Sequence, residues 1–134
     1  MTCFWDGIIT SLFPNEKQLI GLKRPVWYEF VDILKQKNTK INKVKWNGKL
    51  LTNKEQEEFY IHIKDYNKET ARRGYDCSVC DPFLALVCQI FELRIIHNYM
   101  GHKMIYECVT PKLKGEKIYS SNRGHFAFKT RKIL

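Results

Sequence analysis

Residues 81–99 read DPFLALVCQIFELRIIHNY, from Asp81 to Tyr99, and the reading of this stretch decides the fold. Asp81 is a residue type that caps helix N-termini, and Pro82 suits the first helical position, where its missing N–H is no loss. The run FLALVCQIF that follows is apolar nearly all round, so the helix expected over 82–92 belongs inside a core. Directly behind it, LRIIHNY is rich in β-branched and aromatic residues and reads as a strand over 93–99. Three more β-like runs follow at 104–109, 116–120 and 125–129. The stretch 111–115 and the tripeptide Asn122-Arg123-Gly124 supply the turns between them.

Working back toward the start, apolar residues at positions 4, 5, 8, 9, 12 and 13 recur with helical spacing, and Pro14 is expected to close that helix. Gly7 inside it costs about 1 kcal/mol relative to alanine. Pro25 opens a second amphipathic helix, VWYEFVDILKQK, with Val26, Phe30, Ile33 and Leu34 on one face. Residues 38–51 read as irregular, with a turn at Asn47-Gly48. Thr52 and Glu55 have capping-box spacing and begin a helix expected to reach Asn67. Helices first and strands after predict an α+β fold, with N-terminal helices packed on a small antiparallel sheet. Trp5, Trp27, Tyr28 and Phe30 are the expected bulk of the core, with Cys88 and Cys108 as small buried members. There is no internal repeat.

The chain has 134 residues, 44% of them hydrophobic and 13% aromatic, too apolar for a disordered chain and enough for one domain over 1–134. Its net charge is +9. The cations are scattered and form no block, so nucleic acid is not the expected partner. Lys43, Lys45, Trp46 and Lys49, and later Arg123, Lys129, Arg131 and Lys132, mix cations with an aromatic as a base-stacking surface does. A solvated lysine-rich surface is the simpler reading. Five cysteines, an odd number, argue against a disulfide framework. No secretory leader and no apolar run of membrane-spanning length is read, so a reducing, cytoplasmic setting is expected, with no membrane association.

Two constellations carry possible chemistry. Cys77-x-x-Cys80 with His97 and His102 forms a Cys2His2 set on paper. The segment between the pairs, however, reads as a core helix and strand and not as a zinc connector, so no metal or other cofactor is expected. The second is Cys3 with His125. Cys3 lies where the first helix begins, and a helix N-terminus beside an imidazole favours the thiolate. His125, in Gly124-His125-Phe126, heads the last strand. A cysteine at a helix start facing a strand histidine is the arrangement of papain-type nucleophiles.

The order Cys3-Phe4-Trp5 and then helix, the helix-to-strand segment 81–99, and Gly124-His125-Phe126 on a terminal strand together resemble the ovarian-tumour (OTU) class of cysteine proteases. The similarity runs along almost the whole chain in order and spacing, with the functional motifs at its two ends. It implies a compact, viral-type, papain-like fold and a deubiquitinase-like hydrolase of peptide or isopeptide bonds. Cys3 would be the nucleophile and His125 the base. Where the family commonly orients that histidine from two residues downstream, this chain has Ala127; Asn122, another residue, or no third member are the alternatives. The resemblance further implies a monomer acting on the tail of ubiquitin or a ubiquitin-like protein, in the cytoplasm (host cytoplasm or virion for a viral chain). The tail would lie between the loop at 76–79 and the Gly124 strand, with Tyr75, Asp76, Gly124 and Phe126 as binding residues. The competing reading is a catalytically silent OTU-like module that contacts protein or nucleic acid.

Overall fold

A computed structural model describes residues 3–69, 81–122 and 124–134. The elements, in chain order, are α1 (Cys3–Ser11), α2 (Pro14–Ile20), α3 (Trp27–Gln36), β1 (Val44–Trp46), β2 (Lys49–Leu50) and α4 (Asn53–Asp65). They continue with α5 (Asp81–Phe91), β3 (Leu93–Tyr99), β4 (His102–Cys108), β5 (Gly115–Asn122) and β6 (His125–Ile133). The fold is α+β. The expected helix-to-strand unit is present, with β3 spanning the residues read from the sequence.

Two expectations about local structure change. Pro14 ends α1 and also starts α2, because a proline is as well suited to a first helical turn as it is unsuited to an interior one. The segment read as irregular holds a small hairpin, β1–β2, and its turn is the expected Asn47-Gly48, both with positive φ (51° and 87°) as a type I′ turn requires. Of the aromatics assigned to the core, Trp5 and Phe30 are buried, Trp27 is half-buried and Tyr28 is exposed.

The sheet is mixed, not antiparallel. Its strand order is β2-β1-β4-β3-β5-β6, and β5 lies parallel to β3 while every other neighbouring pair is antiparallel. The cause is the route of residues 109–114. β4 folds back on one flank of β3, and the chain then passes beneath the start of β3 to lay β5 on the other flank. Glu92 fixes that crossing. It sits at φ 55° between α5 and β3, its carbonyl accepts from the Lys114 N–H at 2.9 Å, and its carboxylate accepts from the Thr110 hydroxyl at 2.7 Å.

One face of the sheet carries the helices. Leu93, Ile95, Tyr106, Cys108, Tyr119 and Phe126 point into the core against α1 and α5. From α5, Phe83, Leu84, Ala85, Leu86, Val87 and Cys88 are all buried, as an all-round apolar helix must be. On the opposite face Arg94 bridges Glu107 of β4 (2.8 Å) and Glu116 of β5 (2.7 Å), tying three strands with a cross-strand charge ladder.

Helix α1 sits on β6 and buries Phe4, Trp5, Ile8 and Ile9, worth about 1.5–3 kcal/mol for each large side chain. Gly7 makes the close approach possible: a Cβ there would lie 2.9 Å from the Phe126 ring and 3.6 Å from the Phe128 nitrogen. Gly7→Ala is therefore expected to lower stability by about 1–3 kcal/mol, despite alanine's better helix propensity, because the helix must move off the strand. Urea unfolding checks this, and an unchanged or stabilised variant would refute it.

Candidate functional site

Cys3 is the first residue of α1, and it is half-buried. Its thiol donates toward the Gly124 carbonyl, with Sγ 3.8 Å from the oxygen. Gly124 immediately precedes His125, the first residue of β6. The fold thus brings the two ends of the chain together, 121 positions apart, at the N-terminus of a helix. Gly124 has φ 68° at the tip of the β5–β6 hairpin, a conformation that suits glycine. Asn122 and His125 face each other as the pair that closes this hairpin. Of the residues proposed from the sequence, Cys3 meets the Gly124 carbonyl, Asn122 and His125 flank Gly124 in the hairpin, and His125 is exposed.

Phe126 has a different place from the one expected of a cleft wall. It is only 3% exposed, and its ring packs edge-on against Phe4 at 4.8 Å and stacks on Tyr119 at 5.1 Å. It is the wedge that fixes α1 against β6, since on a strand the residue after an outward-facing one turns inward. Tyr75 and Asp76 lie outside the described residues, as do Cys77, Cys80 and Arg123.

Comparison with known protein families, curated proteins and solved structures finds no match to this chain.

The position of the thiol is set from both ends of α1. At its N-terminal end, Trp5 packs on Phe83 at 4.8 Å and donates its indole N–H to the Tyr66 hydroxyl at 3.1 Å. Its C-terminal end is capped by two cations from the sheet. Lys117 Nζ donates to the Ser11 carbonyl at 2.6 Å, and Arg131 donates to the Leu12 carbonyl at 2.7 Å. Cations are favoured where the helix dipole is negative. Lys117 is fully buried, pairs with the Glu16 carboxylate and lies over the Phe13 ring, 4.9 Å from its centroid. Burial lowers the Lys117 pKa, although the paired carboxylate opposes that. Glu16 in turn accepts from the Phe13 N–H at 2.8 Å, and Tyr119 shares a 2.6 Å hydrogen bond with the Ser11 hydroxyl. Burial raises the Tyr119 pKa and keeps its phenol neutral.

None of this network was visible in the sequence, where Lys117 stands in a strand of mixed polarity. Strict alternation with Tyr119 was the one available signal, placing both on the same face of β5.

Trp46 turns its ring against Phe59 (5.9 Å) and Tyr106 (6.1 Å), and Arg131 is engaged with α1. His97 of the Cys2His2 set lies on β3, 3% exposed, with Nε2 2.6 Å from the Ser121 hydroxyl. Among the described residues no group of three or more His, Cys, Asp or Glu side chains is placed to hold a metal. Among the same residues no helix is long and apolar enough to cross a membrane. Cys88 and Cys108 are buried, and burial raises both thiol pKa values, that of Cys88 the more.

Burial lowers the pKa of His97 and of His62 below the ordinary 6.5; for His97 the nearby Asp81 carboxylate opposes the shift. The unfolded chain therefore takes up protons first as pH falls. Stability is full above about pH 6.5 and is lost as pH drops through the lower folded-state values. The urea midpoint is expected to fall steadily from pH 7 toward pH 5, and His97→Gln should flatten the slope. A midpoint that stays level over that interval would show that the imidazoles are not buried neutral.

Proposed function

We propose that the chain is a cysteine hydrolase of OTU-like, papain-type design that cleaves a peptide or isopeptide bond at the tail of ubiquitin or a ubiquitin-like protein. The observation that carries the reading is the Cys3 thiol at the start of α1, 3.8 Å from the carbonyl of the residue before His125. His125 takes the Cys3 proton as the sulfur attacks the scissile carbonyl carbon. The tetrahedral oxyanion collapses, His125 returns the proton to the departing amine, and a water activated by His125 hydrolyses the thioester. Asn122, paired with His125 across the hairpin, is the candidate to orient the imidazole. The Cys3 N–H is one candidate oxyanion donor, and Gly124 leaves room for an extended tail at the hairpin tip.

The test is a ubiquitin carrying a C-terminal electrophile. The intact protein is expected to form a covalent adduct on Cys3, and Cys3→Ala is expected to abolish it. Absence of any adduct with folded, intact protein would overturn the proposal. A second reading, a silent module of the same design, is favoured by Ala127, which offers no orienting group two residues after His125. Unreacted binding of ubiquitin would support it.

A further inference from the structure

The hairpin that presents Gly124 and His125 has its own anchor, and the Cys3 and His125 pair does not account for it. His97 stands on β3, in the core row with Leu93 and Ile95. Its ring lies 5.3 Å from Phe126 and 5.9 Å from Tyr99, and its Nε2 is 2.6 Å from the Ser121 hydroxyl. Ser121 is the register partner of both Tyr99 on β3 and Phe126 on β6, and its carbonyl accepts from the Met100 N–H at 3.0 Å. One residue therefore ties the last turn of the β5–β6 hairpin to the centre of the sheet through backbone and side chain together. The His97 Nδ1 is buried with no partner among the described residues. The Nε2–Ser121 Oγ hydrogen bond can run in either direction, the proton coming from the ring or from the hydroxyl.

We propose that the buried His97 and the half-buried Ser121 form a latch that positions the Gly124–His125 hairpin tip over the Cys3 thiol. They are positioning residues and touch no substrate. Core packing alone needs neither polar group at this place: an apolar pair would fill the same space without a buried ring nitrogen to satisfy. The hydroxyl and the ring nitrogen fix the direction in which β5 leaves the sheet, one residue before Asn122 and within the reach of the hairpin tip. The latch itself stands on geometry. Only its consequence for the thiol rests on the function proposed above.

The experiment compares Ser121→Ala and Ser121→Thr with the unaltered protein, by amide hydrogen exchange and by the pH profile of Cys3 alkylation with iodoacetamide, read on the Cys3 peptide by mass spectrometry. Ser121→Ala is expected to speed exchange at Asn122, His125 and Phe126 about tenfold, the equivalent of one lost hydrogen bond, with β4 amides unchanged. It is also expected to displace the alkylation profile, and Ser121→Thr, which keeps the hydroxyl, should restore both. Unchanged exchange at the hairpin, or a uniform rise over β4 and the hairpin alike, overturns the latch. His125→Ala in the same alkylation assay separates the two claims. If it leaves the Cys3 profile untouched while the hairpin loosens in Ser121→Ala, the reactive pair fails and the latch stands.

Discussion

Lys117→Ala is expected to lower the free energy of unfolding by about 3–5 kcal/mol, the cost of leaving a buried charge without its partner. Lys117 is fully buried, and its ammonium serves both the Glu16 carboxylate and the Ser11 carbonyl at the end of α1. Removing it leaves the Glu16 carboxylate, at 6% exposure, with the Phe13 N–H but no cation, and takes away one of the two cations that cap α1. The effect differs from that of the exposed pairs. Lys54 and Glu58, both open to solvent at 4.0 Å, contribute well under about 1 kcal/mol. The double replacement Lys117→Met with Glu16→Leu should recover most of the loss, because an apolar pair replaces a buried ion pair at little cost. Denaturant unfolding of the two variants measures this. A loss below about 1 kcal/mol for Lys117→Ala would mean that the pair behaves as a surface one.

If the chain is the hydrolase proposed above, His125→Ala is expected to slow cleavage of a ubiquitin C-terminal amide by about 10²–10⁴-fold, the usual contribution of a positioned general acid and base. His125 is exposed at the head of β6 and sits on the hairpin tip, so its removal should leave the unfolding midpoint nearly unchanged. That separation of activity from stability is the signature sought. Asn122→Ala, with a smaller fall in kcat and a shifted pH profile, would assign Asn122 as the orienting group. An activity indifferent to His125→Ala would remove His125 from the mechanism.

How much of this was legible beforehand depended on whether the signal was local. The helix-to-strand unit at 81–99 follows from patterning, since an apolar run behind an N-cap and a proline has few other solutions. The periodicity at Phe4, Trp5, Ile8, Ile9, Leu12 and Phe13 did so as well: all but the half-buried Phe13 are buried, and the last two lie past the end of α1. Cys3 was legible as a candidate because its place at a helix start is a sequence property. The inward turn of Phe126 was also within reach, because the alternation that exposes His125 buries its neighbour, but a reading of Gly124-His125-Phe126 as one cleft motif masked it. Gly7 looked like a defect, and only the opposing strand shows its use.

The sequence by itself determined the α+β class, the Asn47-Gly48 turn and the residues that form the buried helix, because propensity, capping and hydrophobic period act over a few residues; the strands β1 and β2 ahead of α4 depart from the expected order of helices before strands. The tertiary structure alone decided that β5 lies parallel to β3, that Gly7 admits the Phe126 ring, that Lys117 is buried against Glu16, and that His97 meets Ser121. It also decided that Cys3 lies beside the residue that precedes His125. Each of these depends on contacts between residues far apart in the chain, fixed by the crossing at 109–114 and by the packing of α1 on β6, and no local pattern encodes them.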